Sequence, residues 1–191
     1  MESTRRSVLA TIAAGALVGP LTLEAAQRVH EEAAAVAATN NGVYKPKALT
    51  QHEFDTLKML CEMIVPGASK GNAAEFIDLL SSQNPEMANI YTGGLGWLDE
   101  EMRVRYQADF LSAKPEQRTE LLDILAYRRN RTDALAPGIR FFDWARRMAV
   151  DGYYTSAAGI KEVGFMGNRG QKEFKVPQAA IDYAIKNSPF A

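Results

Sequence analysis

Asp99, Glu100 and Glu101 stand in a row, and paired carboxylates are common equipment for general acid–base chemistry. Successive helix positions differ by roughly 100°, so these three side chains cannot converge on one substrate atom. The histidines are His30 and His52, and the one cysteine is Cys61. A Ser-His-Asp or Cys-His arrangement in the body of the chain would have to use His52, which sits beside a helix start. Zinc, copper and haem sites usually draw on several Cys or His side chains, more than this body can gather. Cys61 falls on the apolar face of a helix, where a thiol is a packing group rather than a nucleophile, and a lone cysteine excludes an intrachain disulfide. The glycines from Gly159 onward follow no strand, so they form no dinucleotide-binding loop. The expectation is a chain with no catalytic residue, metal ligand or cofactor site of its own.

The remaining side chains of chemical interest suit binding. Tyr153 and Tyr154 divide into one expected to pack on the helices and one expected to face a partner, because Tyr, Trp and Arg dominate interface anchors. Trp97, beside Gly93, Gly94 and Gly96, reads either as a core tryptophan or as an exposed anchor. Arg128, Arg129 and Arg131, and the pair Arg146-Arg147, read as solvated helix ends, with pairing to a partner's carboxylates as the alternative.

Residues Thr4-Arg5-Arg6-Ser7-Val8-Leu9 precede an apolar run from Ala10 to Val18 that Gly19-Pro20 ends. A charged pair ahead of a short apolar stretch is the layout of a secretory signal, and Arg5-Arg6 just before Val8-Leu9 fits the twin-arginine pattern. The run is shorter than the ~20 residues that a spanning helix needs. The expected location is the periplasm, reached in the folded state through the twin-arginine translocase. The stretch Leu23 to Ala38 is Ala- and Glu-rich and helix-compatible, and Asn40-Asn41-Gly42 reads as a break. The expected division is 1–38 for signal and leader tail, 39–48 for a linker and 49–191 for the folded domain. Removing residues 1–38, with their three arginines and four glutamates, leaves 19 charges of each sign. A neutral body argues against nucleic acid or anionic lipid as the main partner, since both call for a basic excess.

The elements that must position these residues are helices. Thr50 with Glu53 makes a capping box ahead of Phe54, Leu57, Leu60, Cys61 and Ile64, and Pro66 stops that helix. Asn72 with Glu75 repeats the pattern before Phe76, Ile77, Leu79 and Leu80. Pro85 and Pro115 suit first helical turns. Leu121, Leu122, Ile124, Leu125 and Tyr127 give one further buried side, and Phe141, Phe142, Trp144, Ala145 and Met148 another. Gly152 to Asn168 alternates glycine with aromatic and apolar residues and is expected to be a long ordered loop. Pro177 opens a last short helix through Tyr183 and Ile185. The fold class expected is all-α, a compact bundle of short helices with a Gly/Tyr-rich loop near the C-terminus.

Four stretches carry a resemblance. They are Phe54-Asp55-Thr56-Leu57 running to Ile64-Val65-Pro66; Glu75-Phe76-Ile77-Asp78; Gly94-Leu95-Gly96-Trp97-Leu98-Asp99 with Gln117-Arg118-Thr119 and Leu121-Leu122; and Gly152-Tyr153-Tyr154-Thr155-Ser156 with Gly159-Ile160-Lys161-Glu162-Val163-Gly164-Phe165 and Gly167-Asn168. In this order and spacing they resemble the gluconate 2-dehydrogenase subunit 3 family. The chain departs from that pattern after Asn168, where Gly170 to Pro177 replaces the usual proline-containing ending.

The resemblance implies a small subunit beside a large FAD-binding subunit of the glucose-methanol-choline oxidoreductase type. The large subunit would oxidise a sugar, sugar acid, polyol or glycoside, and a cytochrome c subunit with haem c is a further expected member. It also implies that the small subunit supplies the export signal and supports maturation of its partner. Two other readings stay open on the residues alone: a stand-alone exported enzyme using carboxylates and tyrosines, and a chaperone-like protein with an unrelated client. The partner contact is expected on Gly152–Asn168 together with a turn at Gly93–Trp97, because long ordered loops are usually functional. Trp97, Tyr153, Tyr154, Ile160, Phe165 and Asn168 are its candidate residues, and Arg5 and Arg6 those of the export signal.

Overall fold

A computed structural model describes residues 22–167 and 176–188. Arg5, Arg6 and Asn168 lie outside the described residues. Those described form eight α-helices and two short 3-10 turns, with no strand among them. The all-helical expectation holds.

The first helix, α1 (Leu23–Ala38), covers most of the stretch expected as leader tail. Thr22 caps it by accepting from the Ala25 N–H at 3.2 Å. Ala26, Val29 and Ala33 recur on one face and are buried, so this stretch packs against the bundle. Small side chains let α1 lie against the helix at Ala73–Gln83. Asn41 and Gly42 take positive φ and reverse the chain, as the Asn-Asn-Gly break predicts.

The expected linker is likewise tied down. Tyr44 is buried, with its ring 5.5 Å from that of Phe54. The Tyr44 hydroxyl and the N–H groups of Lys47, Ala48 and Leu49 all donate to the Asp78 carboxylate, at 2.7–3.1 Å. Four donors satisfy a carboxylate with no exposed surface, the condition under which a buried charge is tolerated.

Helix α2 (Gln51–Ile64) starts with the predicted capping box, Thr50 with Glu53. Helix α3 (Ala73–Gln83) starts differently: Asn72 has a left-handed backbone and makes no side-chain cap, so the second predicted capping box is absent. Buried residues surround α3 on all sides, Phe76, Ile77, Leu79 and Leu80 included, which makes it the central helix. The link between α2 and α3 is clamped by Glu62, which accepts from the N–H groups of Gly67 and Ser69 at 2.7 and 3.0 Å.

Helix α4 (Pro85–Tyr106) is continuous through Gly93, Gly94 and Gly96, so the expected turn there does not exist. Two glycines instead bring α4 against α6 (Ala136–Tyr154). A Cβ at Gly94 would overlap the Phe141 ring, and one at Gly138 would overlap Trp97. Between them, α5 (Pro115–Leu125) buries Leu121, Leu122 and Leu125. Tyr127 lies past the end of α5 and is 52% exposed, against the expectation that it packs inside.

The expected Gly/Tyr-rich loop is mostly helix. Gly152, Tyr153 and Tyr154 are the last turn of α6. Ser156 caps the short α7 (Ala157–Glu162) through the Gly159 N–H. Gly152 is a packing position: a Cβ there would press at 3.2 Å on the Ala73 backbone of α3. The last described helix is α8 (Gln178–Lys186). No helix among the described residues is long and apolar enough to cross a membrane.

Candidate partner-docking surface

The five described candidates separate into three environments. Tyr153 is buried, and its hydroxyl donates to the Glu162 carboxylate, which holds the phenol up to about 12. It therefore staples α7 to α6 and is not available to a partner. Tyr154, the next residue, turns outward with 38% exposure, its ring edge-on to Tyr153 at 5.0 Å. One tyrosine inside and one outside is the division the sequence suggested.

Ile160 is half-buried on α7 and borders a shallow cleft of about 560 Å³ with His30, Thr155 and Lys161. Phe165 follows at once, its N–H donating to the Ile160 carbonyl, and it is 45% exposed. Trp97 is half-buried against Gly138. Gly138 and Tyr154 lie 16 residues apart on α6, about 24 Å along a helix. The structure thus gathers Tyr154, Ile160 and Phe165 at one corner and leaves Trp97 at the far end of α6.

Further apolar residues toward the C-terminus are exposed as well. Val163 is 58% exposed and Met166 is 74% exposed. Every residue of α8 is exposed, including Ile181, Tyr183 and Ile185. Gln178, Asp182 and Lys186 share one face of α8, and Gln178 donates to Asp182 at 2.9 Å. The rest of the helix surface is Ala, Ile and Tyr. The amphipathic spacing was visible in the sequence; that every residue of α8 stays exposed was not.

The groups considered for catalysis are engaged elsewhere. Asp99 meets His52 Nε2 at 2.6 Å and accepts from the Phe110 N–H at 2.9 Å, tying the start of α2 to the turn after α4. Glu100 pairs with Arg103 and Glu101 with Arg105, so the three carboxylates diverge as helix geometry requires. Cys61 is 2% exposed, and burial pushes its thiol up. His30 stacks on Phe76 at 4.8 Å between ring centres and meets Thr155 Oγ1 at 3.1 Å; burial lowers its pKa to about 4.

Residues 51–172 match the family model for gluconate 2-dehydrogenase subunit 3. The chain belongs to that family. No curated protein and no solved structure matches it. As a gluconate 2-dehydrogenase subunit 3 protein it is one subunit of a dehydrogenase complex, and partner subunits are implied. The match includes Tyr154, Ile160 and Phe165. It begins after α1 and ends before α8.

Proposed function

We propose that this chain is the non-catalytic small subunit of a periplasmic, FAD-dependent dehydrogenase complex of the glucose-methanol-choline type. Its partner binds FAD and oxidises the CH–OH group of a sugar, sugar acid, polyol or glycoside; a cytochrome c subunit with haem c takes the electrons onward. The small subunit supports maturation and stability of the flavin subunit and carries it through the twin-arginine translocase by the signal at Arg5-Arg6.

The observation that carries this reading is the exposed apolar corner. Tyr154, Phe165 and Met166 expose large apolar side chains around α7, and α8 exposes Ile181, Tyr183 and Ile185; exposed apolar surface on a folded chain marks interaction sites. Family membership supplies the complex. The test is co-expression of the tagged full chain with a flavoprotein encoded beside it. Flavin and sugar-dependent dye reduction should be recovered on the tag with both proteins and not with the small chain alone. Activity of the chain by itself, or no flavoprotein on the tag, would overturn the proposal. Replacing Arg5 and Arg6 by lysine should retain both proteins in the cytoplasm, and unaltered export of the double variant would remove the signal from it.

A further inference from the structure

The exposed stripe of α6 has a different chemistry from the apolar corner. Arg140, Trp144, Arg147, Val150 and Tyr154 recur at helical spacing on its outer side, and all but half-buried Trp144 are exposed. Between Tyr127 and Asp151 the chain has six arginines, no lysine and three aspartates. Residues 39–191 as a whole are neutral, so this excess is local.

Several of these guanidinium groups are already held. Arg128 donates to Asp143 Oδ2 through Nη2 at 2.9 Å and through Nε at 3.2 Å, and Arg146 donates to Asp143 Oδ1 at 3.2 Å. One carboxylate therefore orients two arginines without balancing both. Arg147 lies 5.2 Å over the Trp144 ring, and Arg129 lies 4.6 Å over Tyr127. Arg128, Arg146 and Arg147 line an open cleft of about 530 Å³ with Trp144, Val150, Asp143 and Asp151, three arginines against two aspartates. Guanidinium forks suit carboxylates, and side chains ordered before binding lose less entropy on binding. The interspersed aspartates and aromatic rings fit a folded protein surface better than a run of phosphates.

We propose that the outer face of α6, with Arg128 beside it, docks an acidic surface of the flavin-binding partner. This rests on the small-subunit reading above and gives the contact two halves. The α6 stripe is electrostatic, and Tyr154 joins it to the apolar corner formed by Phe165 and Met166.

The test uses the tagged full chain co-expressed with the flavoprotein, with bound flavin measured after washing at low and high salt. Arg128→Glu with Arg147→Glu should retain at most about a tenth of the wild-type flavin at low salt, while wild-type retention falls as salt rises. Arg128→Lys with Arg147→Lys, which keeps the charge and loses the fork, should retain more than the glutamate pair; it decides the matter if the glutamate pair melts early. Wild-type retention by the charge-reversed pair overturns the inference and leaves the subunit reading standing. Absence of flavin on the wild-type tag overturns that reading, and this inference with it. Binding of the wild-type chain to phosphatidylglycerol vesicles, abolished by the reversal while flavin recovery is unchanged, overturns it in favour of a lipid surface.

Discussion

The two flanks of the bundle end in opposite ways. On the N-terminal side, α1 buries Ala26, Val29 and Ala33, and residues 44–49 hang from the Asp78 carboxylate. On the C-terminal side, every residue from Lys161 to Gly167 and from Val176 to Asn187 is exposed. Both α1 and α8 lie outside the family match. The first flank completes the fold within one chain. The second offers Val163, Phe165, Met166, Ile181 and Ile185 to solvent, the kind of surface a partner would cover. Stability is therefore expected to reside on one flank and recognition on the other.

The largest expected effect comes from breaking the closed flank at its anchor. Asp78→Ala leaves three backbone N–H groups and the Tyr44 hydroxyl without their acceptor. The cost should be roughly 3–5 kcal/mol in urea unfolding. A variant as stable as wild type would mean that the strap contributes nothing to closure.

Acid should loosen the same flank through His30. Its folded pKa, about 4, lies below the ordinary 6.5, so the unfolded chain binds the extra proton between these values. Stability is then full above about pH 6.5 and falls as the pH drops toward 4, by up to roughly 3 kcal/mol. Melting curves of wild type and His30→Gln across that window should converge or cross at low pH. A constant offset between them would show that the imidazole plays no part.

On the open flank the readouts exchange. Tyr154→Ala or Phe165→Ala should weaken complex formation by roughly 1–4 kcal/mol with an almost unchanged melting temperature. Tyr153→Ala should do the reverse, lowering the melt because it removes a buried ring and the bond to Glu162. A pull-down and a melt of each variant separate the two tyrosines; identical behaviour would dissolve the distinction between the flanks.

The smallest expected effect sharpens the contrast most. Deleting residues 176–191 removes α8, in which no residue is buried, so the urea midpoint of the isolated chain should stay within error. Recovery of the flavoprotein should fall. A large loss of stability would place α8 with the fold rather than with the partner.

Local chemistry was legible in most places where one side chain acts on its own stretch of backbone, the Asn72–Glu75 pair being the exception. The Thr50–Glu53 capping box, the first-turn prolines Pro85 and Pro115 and the stop at Pro66 all appear where the residue types put them. Helical spacing likewise identified the faces of Phe54, Leu57, Leu60 and Cys61 and of Leu121, Leu122 and Leu125. The order of the four family stretches pointed to a subunit of a complex for the same reason: each stretch is read along the chain.

What depended on distant neighbours was not legible. Glycine disfavours helix in isolation, yet Gly94, Gly138 and Gly152 sit inside helices because another element packs into the space that each leaves. Asp78 looks like any helical aspartate until a strap 30 residues away brings its amides to it. The inside and outside of Tyr153 and Tyr154 were separable in principle, since adjacent helix positions diverge. Which of them faces Glu162 is set by where α7 docks. Residue types and spacing determined that this chain is a helical bundle of this family. Only the tertiary structure decided which apolar surface remained uncovered, because burial depends on the distant elements that pack against each side chain.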